Sequence, residues 1–259
     1  MLELKGLYKT FNPGTVNEKR AIDNLNLTLE NGDFVTVIGG NGAGKSTTLN
    51  LIAGVFPTDA GVIRLDGFNL TNLPEYKRAR FLGRVFQDPM MGTAATMGIE
   101  ENLALAYRRD RRRGLRHGIT AKERELYREK LAALGLGLEN RLTSKVGLLS
   151  GGQRQALTLL MATLRKPSLL LLDEHTAALD PKTADKVLQL TEEIVAKDNL
   201  TTLMVTHNMK NAIQYGNRLI MMDAGRIVVD IRGEEKKHLS VRDLLEKFNI
   251  ENDRMLLSE

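Results

Sequence analysis

The stretch Phe34–Thr47, with the sequence FVTVIGGNGAGKST, decides the fold. Its first five residues are apolar apart from Thr36, which predicts a short strand buried on both faces. The residues after it fit the pattern G-x-x-x-x-G-K-[ST], and Thr47–Ala53 then has a helical pattern. A strand, a glycine-rich loop and a helix in this order predict a phosphate-binding loop, for which a glycine-rich turn by chance is the weaker explanation.

This loop is predicted to bind the polyphosphate of a nucleotide. Glycines let the backbone wrap around phosphate and aim its N–H groups at the oxygens, while the helix dipole adds positive potential. Lys45 is expected to reach the β and γ phosphates, and the hydroxyl of Ser46 can ligate Mg²⁺. The predicted nucleotide-binding residues of the loop are Gly39, Gly40, Asn41, Gly42, Ala43, Gly44, Lys45, Ser46 and Thr47.

Two carboxylates follow a second apolar stretch, Leu169–Leu172. If this stretch is a parallel strand, Asp173 and Glu174 lie at the sheet edge where ligands bind. Asp173 would then act on the hydration shell of Mg²⁺, and Glu174 would orient or deprotonate an attacking water molecule. Taken alone, a solvated turn explains an Asp-Glu pair equally well.

A third motif, LSGGQ at Leu149–Gln153, precedes the apolar helical pattern of Ala156–Leu164. Ser150 as cap, two glycines and the N–H groups of the first turn prepare this helix N-terminus for an anion. A helix cap without a ligand is the alternative. The candidate anion-binding residues here are Ser150, Gly151, Gly152 and Gln153.

With these three motifs in order, the chain resembles the nucleotide-binding subunit of an ATP-binding cassette (ABC) transporter over nearly its full length. The resemblance implies an ATPase that uses ATP and Mg²⁺. It implies that Phe11 stacks on adenine, with Tyr8 as a weaker candidate, although a core phenylalanine remains an alternative. It also implies the catalytic residues Glu174 and His207 and the metal residues Ser46, Gln87 and Asp173.

The remaining roles also come from the resemblance. Gln87 is similar to the glutamine that senses Mg²⁺ and the membrane subunit, and His207 to the switch histidine at the γ-phosphate. An isolated histidine is more often structural, but His207 follows the apolar strand pattern Thr202–Thr206. Asp180 resembles part of the loop that couples two active sites.

The family assembly provides the expected partners. Ser150–Gln153 of one subunit closes on the phosphate loop of another, which implies a homodimer holding two ATP molecules. Integral-membrane permease subunits, and through them a solute-binding protein, are the other expected partners, while nucleic acid is not expected. The chain would lie peripherally on the cytoplasmic face of the cell membrane. The sequences of these motifs resemble those of ATPase subunits that serve importers of small organic solutes. Amino acids, including aromatic ones, are the candidate solutes.

The expected fold class is α/β: a P-loop NTPase core with a mostly parallel sheet, an N-terminal antiparallel β subdomain and an inserted helical subdomain. We expect one domain over residues 1–259, with a core of 1–87 and 167–259 and a helical signature subdomain of 88–166. Asn31-Gly32 predicts a tight turn between strands. Arg218–Met222 and Arg226–Ile231 predict a hairpin, and the tail from Ser240 to Phe248 predicts an amphipathic helix.

Composition excludes several classes. The absence of cysteine removes disulfides, thiolate zinc sites and cysteine nucleophiles. No stretch approaches the roughly 20 apolar residues of a membrane span, and the start lacks the apolar core of a secretion signal, which predicts a cytosolic chain. A net charge of +5 would help binding to phosphate-bearing ligands, nucleic acid or an anionic membrane surface, and it does not decide among them.

Two other functions remain open at this point. A soluble ABC-type ATPase acting on nucleic acid or the ribosome would be expected to have coiled coils, paired cassettes or cysteine zinc sites. The arginine-rich stretch Arg108–Arg116 could serve such a role, contact lipid headgroups or an acidic partner, or form a solvated helix end or loop. An unrelated P-loop kinase or GTPase is disfavoured by Ser150–Gln153.

Two positions depart from the family pattern. His175 stands where the family commonly has proline, and Ala156 where it commonly has arginine. We predict a surface histidine at position 175, with a titrating group beside Glu174 as the alternative.

Overall fold

The structure is a computed structural model that describes residues 1–109 and 118–247. The described strands are β1 (Leu2–Phe11), β2 (Lys19–Leu29), β3 (Phe34–Ile38), β4 (Ala60–Leu65), β5 (Phe68–Asn69), β6 (Leu82–Val85), β7 (Leu169–Asp173), β8 (Thr202–Val205), β9 (Arg218–Asp223) and β10 (Arg226–Arg232). The helices are α1 (Lys45–Ala53), α2 (Glu75–Arg78), α3 (Ile99–Tyr107), α4 (Ala121–Ala132), α5 (Gly151–Thr163), α6 (Pro181–Asp198), α7 (Met209–Gln214), α8 (Gly233–Lys237) and α9 (residues 241–247). Most of the arginine-rich stretch and Phe248 lie outside the described residues.

The chain forms two compact units. Unit 1 comprises Met1–Arg78 and the chain from Thr201 onward, and unit 2 comprises Ala79–Leu200. The predicted core and helical boundaries at residues 87, 88, 166 and 167 stay a prediction.

Unit 1 contains an antiparallel sheet with the strand order β2-β1-β4-β5. Leu2 pairs with Leu29, so the antiparallel start predicted from the N-terminal pattern is confirmed. The predicted tight turn at Asn31-Gly32 is present, with the Asp33 N–H donating to the Glu30 carbonyl over 3.1 Å. This turn does not close a hairpin, because β2 pairs with β1 whereas β3 belongs to a different sheet.

The second set of strands in unit 1 positions the phosphate loop. β3 pairs in parallel with β8 on one side and with β9 on the other, and β9 pairs with β10 as the predicted antiparallel hairpin. All five residues of β3 are buried. Parallel strands covered on both faces are expected to be continuously apolar, which explains the FVTVI sequence.

Unit 2 contains the parallel pair β6 and β7 together with most of the longer helices. The helices α3, α4 and α5 pack around a core whose largest fully buried side chain is Tyr127. The four leucines of β7 are fully buried. The sequence pattern predicted β7 but indicated no strand at β6. No helix in the described part of the chain has the length and apolar character needed to cross a membrane.

Candidate nucleotide site

The glycine-rich loop in unit 1 requires glycine at defined positions. Gly39, Gly42 and Gly44 have positive φ angles of 149°, 84° and 98°. A Cβ added at Gly39 would lie 2.2 Å from the carbonyl oxygen of Met222, and one at Gly44 would lie 2.7 Å from that of Ala21. Both the conformation and the close approach of neighbouring backbone therefore exclude larger residues.

The loop leads into a helix N-terminus that a phosphate could occupy. α1 begins at Lys45, and Gly44 before it provides no side-chain cap. Lys45 is only 9% exposed, and its Nζ donates to the carbonyls of Gly39 and Gly40 over 2.8 and 3.0 Å. The ammonium group thus lies against the loop itself. A helix dipole, backbone N–H groups and this cation together favour an anion.

Two further predicted residues of unit 1 lie at strand ends. His207 follows β8 and is exposed, and the Thr206 N–H donates to the carbonyl of Val37 in β3 over 3.1 Å. His207 and the phosphate loop therefore emerge from adjacent parallel strands, at their carboxyl ends. Phe11 ends β1, partly exposed, with its ring edge-on to Phe56 at a centroid distance of 5.2 Å.

The predicted carboxylates lie in unit 2, at the end of β7. Asp173 is the last residue of the strand, and Glu174 follows with a φ angle of 43°. A left-handed backbone is uncommon for a residue other than glycine and costs on the order of 1 kcal/mol or more, so the surrounding turn must hold it. The Ala177 N–H donates to the Glu174 carbonyl over 2.9 Å and closes this turn.

Gln87 is exposed and emerges two residues after the end of β6, the strand paired with β7. Val85 pairs with Leu172, so Gln87 and Asp173 follow the same edge of the parallel pair. The Gln155 side-chain amide on α5 donates to the carbonyl of Phe86 over 3.3 Å. The backbone before Gln87 is thereby joined to the helix that begins after Ser150.

The LSGGQ motif caps α5 as its sequence predicted. The Ser150 Oγ accepts from the Gln153 N–H over 3.3 Å, and the Gln153 side chain accepts from the Ser150 N–H over 3.2 Å. A Cβ at Gly152 would lie 2.2 Å from the Thr183 side chain on α6. Asp180 caps α6, and the hydrogen bonds from Thr183 hold the pKa of its carboxyl below the usual value. Two capped helix N-termini therefore lie side by side.

The prediction of a surface histidine at position 175 is wrong. His175 is 2% exposed, and its Nε2 lies 3.1 Å from the hydroxyl of Thr191 on α6. Burial lowers the pKa of His175 to about 4, so the ring is neutral at neutral pH. The histidine therefore anchors the turn after β7 to α6. Ala156, the other residue that departs from the family pattern, is fully buried within α5.

Two positively charged side chains, one near the phosphate loop and one near Asp173, were not predicted from the sequence. The Nζ of Lys19 would lie 3.0 Å from a Cβ at Gly42, which places the Lys19 ammonium next to the phosphate loop. In unit 2, Arg84 on β6 lies 3.9 Å from the carboxylate of Asp173. The sequence motifs gave no signal for Lys19, and Arg84 lies on the strand that was not predicted.

Comparisons with known proteins identify the class. The fold is that of a P-loop ATPase. The family model described as ABC transporter matches residues 22–177, more than half of the chain. A tyrosine transport ATP-binding protein of Clostridioides difficile is 49% identical over 96% of this chain and 98% of its own length. The chain therefore belongs to the ABC transporter family, as an ATP-binding and ATP-hydrolysing subunit.

Two further comparisons agree with this family and with the expected fold. A spermidine/putrescine import ATP-binding protein of Pasteurella multocida is 34% identical over 99% of this chain, which spans 66% of that protein's length. The dimeric structure of an ATP-binding cassette in a post-hydrolysis state, bound to ADP and Pi, matches with a TM-score of 0.76 and 30% identity, covering 90% of this chain and 98% of the other. The expected P-loop α/β fold is thus confirmed.

Proposed function

We propose that this chain energises the import of an aromatic amino acid, with tyrosine as the first solute to test. The observation that carries the proposal is the alignment with the tyrosine transport ATP-binding protein along nearly the whole length of both chains. Specificity for the solute would reside in partner proteins. The contribution of this chain is the free energy of ATP hydrolysis.

In this proposal the phosphate loop, Gly39–Thr47, holds the nucleotide, and Phe11 stacks on its adenine. The partly exposed ring at the end of β1 supports the second role, since an aromatic face can stack on a base. The position of the Lys45 ammonium against the loop supports the first. A bound phosphate would take hydrogen bonds from Lys45 that the loop carbonyls now accept.

Mg²⁺ would be held by Ser46, Gln87 and Asp173. These residues offer hydroxyl, amide and carboxylate oxygens, the hard donors that Mg²⁺ prefers, so the donor set fits the ion. When bound, the ion neutralises negative charge on the phosphate oxygens. Glu174 would orient the attacking water and take its proton, and His207 would contact the γ-phosphate.

Two copies of the chain would act together. Ser150–Gln153 of one copy would face the phosphate loop of the other, and Asp180 would couple the two sites. The dimeric state of the related cassette bound to ADP and Pi supports this arrangement. The close approach of Gly152 to Thr183 links α5 to the helix that Asp180 caps, which supports the coupling role of Asp180.

The permease subunits would dock on the segment Asp88–Tyr107, which follows Gln87, and the chain would lie peripherally on the cytoplasmic face of the cell membrane. Three large apolar side chains are exposed in this segment: Met90, Met91 and Leu105. Met91 alone leaves 68% of its surface to solvent. Exposed apolar side chains grouped in one segment are typical of a surface that binds another protein. Cysteine crosslinks to the permease that form only outside this segment would refute the docking assignment.

Uptake of labelled tyrosine by intact cells tests the proposed transport. Cells in which the gene is replaced by the Glu174→Gln variant should lose accumulation of tyrosine while keeping that of an unrelated amino acid. Restoring the original gene should restore uptake. Normal tyrosine accumulation in the variant cells, with phenylalanine and tryptophan also unaffected, would exclude an aromatic amino acid as the solute.

A further inference from the structure

Arg84 occupies an unusual place in β6. Its neighbours in the strand, Leu82, Gly83 and Val85, are buried, and its own side chain is only 14% exposed. Its guanidinium carbon lies 4.5 Å from the centroid of the Phe86 ring. The arginine is thus a largely buried cation, held against an aromatic face rather than extended into solvent.

The guanidinium faces the carboxylate of Asp173 on the paired strand. The distance from Nη2 of Arg84 to Oδ2 of Asp173 is 3.9 Å, and the Asp173 side chain is 16% exposed. Charges at this separation and burial interact more strongly than in bulk water, because little solvent screens them. The carboxylate assigned to Mg²⁺ therefore has part of its negative potential compensated by the protein itself.

We propose that Arg84 is a positioning residue that sets the Mg²⁺ affinity of the nucleotide site through Asp173. This inference rests on the proposed role of Asp173 toward Mg²⁺. As a fixed cation beside the carboxylate, the guanidinium repels the divalent ion. This repulsion limits how strongly bound nucleotide retains Mg²⁺, which favours release of the metal–nucleotide complex after hydrolysis.

The test measures nucleotide binding without turnover. The dissociation constant of a fluorescent ATP analogue is determined once in EDTA and once in saturating Mg²⁺, for the full chain and its variants. The dissociation constant in EDTA divided by that in Mg²⁺ gives a ratio that reports how strongly bound nucleotide favours the metal. Arg84→Met keeps an unbranched apolar stem beside Phe86 and removes the charge, so this ratio should rise about 10-fold, with binding in EDTA unchanged.

Arg84→Lys is the matched control, because it retains the positive charge on which the proposed repulsion depends, and its ratio should stay within about 2-fold of the original. Asp173→Asn separates this inference from the proposed function. If Asp173→Asn leaves the ratio unchanged, the proposed metal role of Asp173 fails. If Asp173→Asn lowers the ratio but Arg84→Met leaves it unchanged, the metal role stands and the inference about Arg84 is overturned.

Discussion

The buried His175 makes the stability of this protein depend on pH in a defined window. Its pKa is lowered by burial from 6.5 to about 4, while in the unfolded chain it should regain the ordinary value. Between these two values the unfolded state binds a proton that the folded state does not. Stability contributed by the neutral, buried ring is therefore complete above pH 6.5, falls as the pH drops, and is lost below about pH 4.

The loss of unfolding free energy at low pH follows from the size of the pKa change. The difference between 6.5 and about 4 corresponds to about 3 kcal/mol of unfolding free energy, of which about 2 kcal/mol is already lost at pH 5. Urea unfolding at a series of pH values measures it, in EDTA and without nucleotide. His175→Gln can still bond to Thr191 but cannot take a proton.

The stability advantage of the original chain over His175→Gln should therefore shrink by about 2 kcal/mol between pH 7.5 and pH 5. His238→Gln is the matched control, because it removes an exposed histidine and leaves the contact of His175 with Thr191 in place. A difference between the original chain and His175→Gln that stays constant from pH 7.5 to pH 5 would refute the buried, neutral histidine.

Three further substitutions, with Gly40→Ala as a control for one of them, test the phosphate loop and Glu174. Glu174→Gln should bind ATP with nearly unchanged affinity but lose at least about 100-fold in turnover and accumulate an ATP-bound dimer on gel filtration; turnover near the original rate would remove Glu174 from its role. Lys45→Ala should weaken ATP binding about 10-fold or more by calorimetry, and normal binding would show that the phosphates lie elsewhere. Gly39→Ala should lower the unfolding free energy by about 2 kcal/mol or more, because its Cβ would meet a carbonyl oxygen at 2.2 Å. Gly40→Ala is its control and should change the unfolding free energy by less than about 1 kcal/mol, because the space around its Cβ is open. Equal effects of the two substitutions would contradict the loop geometry.

Features that depend on neighbouring residues in the chain could be predicted from the sequence. The strand–loop–helix around Lys45 and the cap formed by Ser150 and Gln153 each arise within a few consecutive residues, so the local pattern contains the whole cause. β3 was equally clear, because burial on both faces demands an apolar run.

Features that depend on distant partners could not be predicted. His175 is buried because α6 places Thr191 beside it, and its own neighbours in sequence gave no sign of that contact. β6 is only four residues long and contains Arg84, whose charge interrupts the apolar pattern. The Asn31-Gly32 turn was identified correctly, but only long-range pairing decides that the strands on its two sides belong to different sheets.

This ATPase subunit should be found bound to a membrane transporter. Gentle detergent extraction of the tagged protein from its native cells, followed by identification of what co-purifies in stoichiometric amount, tests it most directly. We expect an integral-membrane partner, retained by the original chain and by the Glu174→Gln variant. Recovery of only soluble protein or nucleic acid, repeated after crosslinking in intact cells, would contradict the transporter function while leaving the ATPase assignment in place.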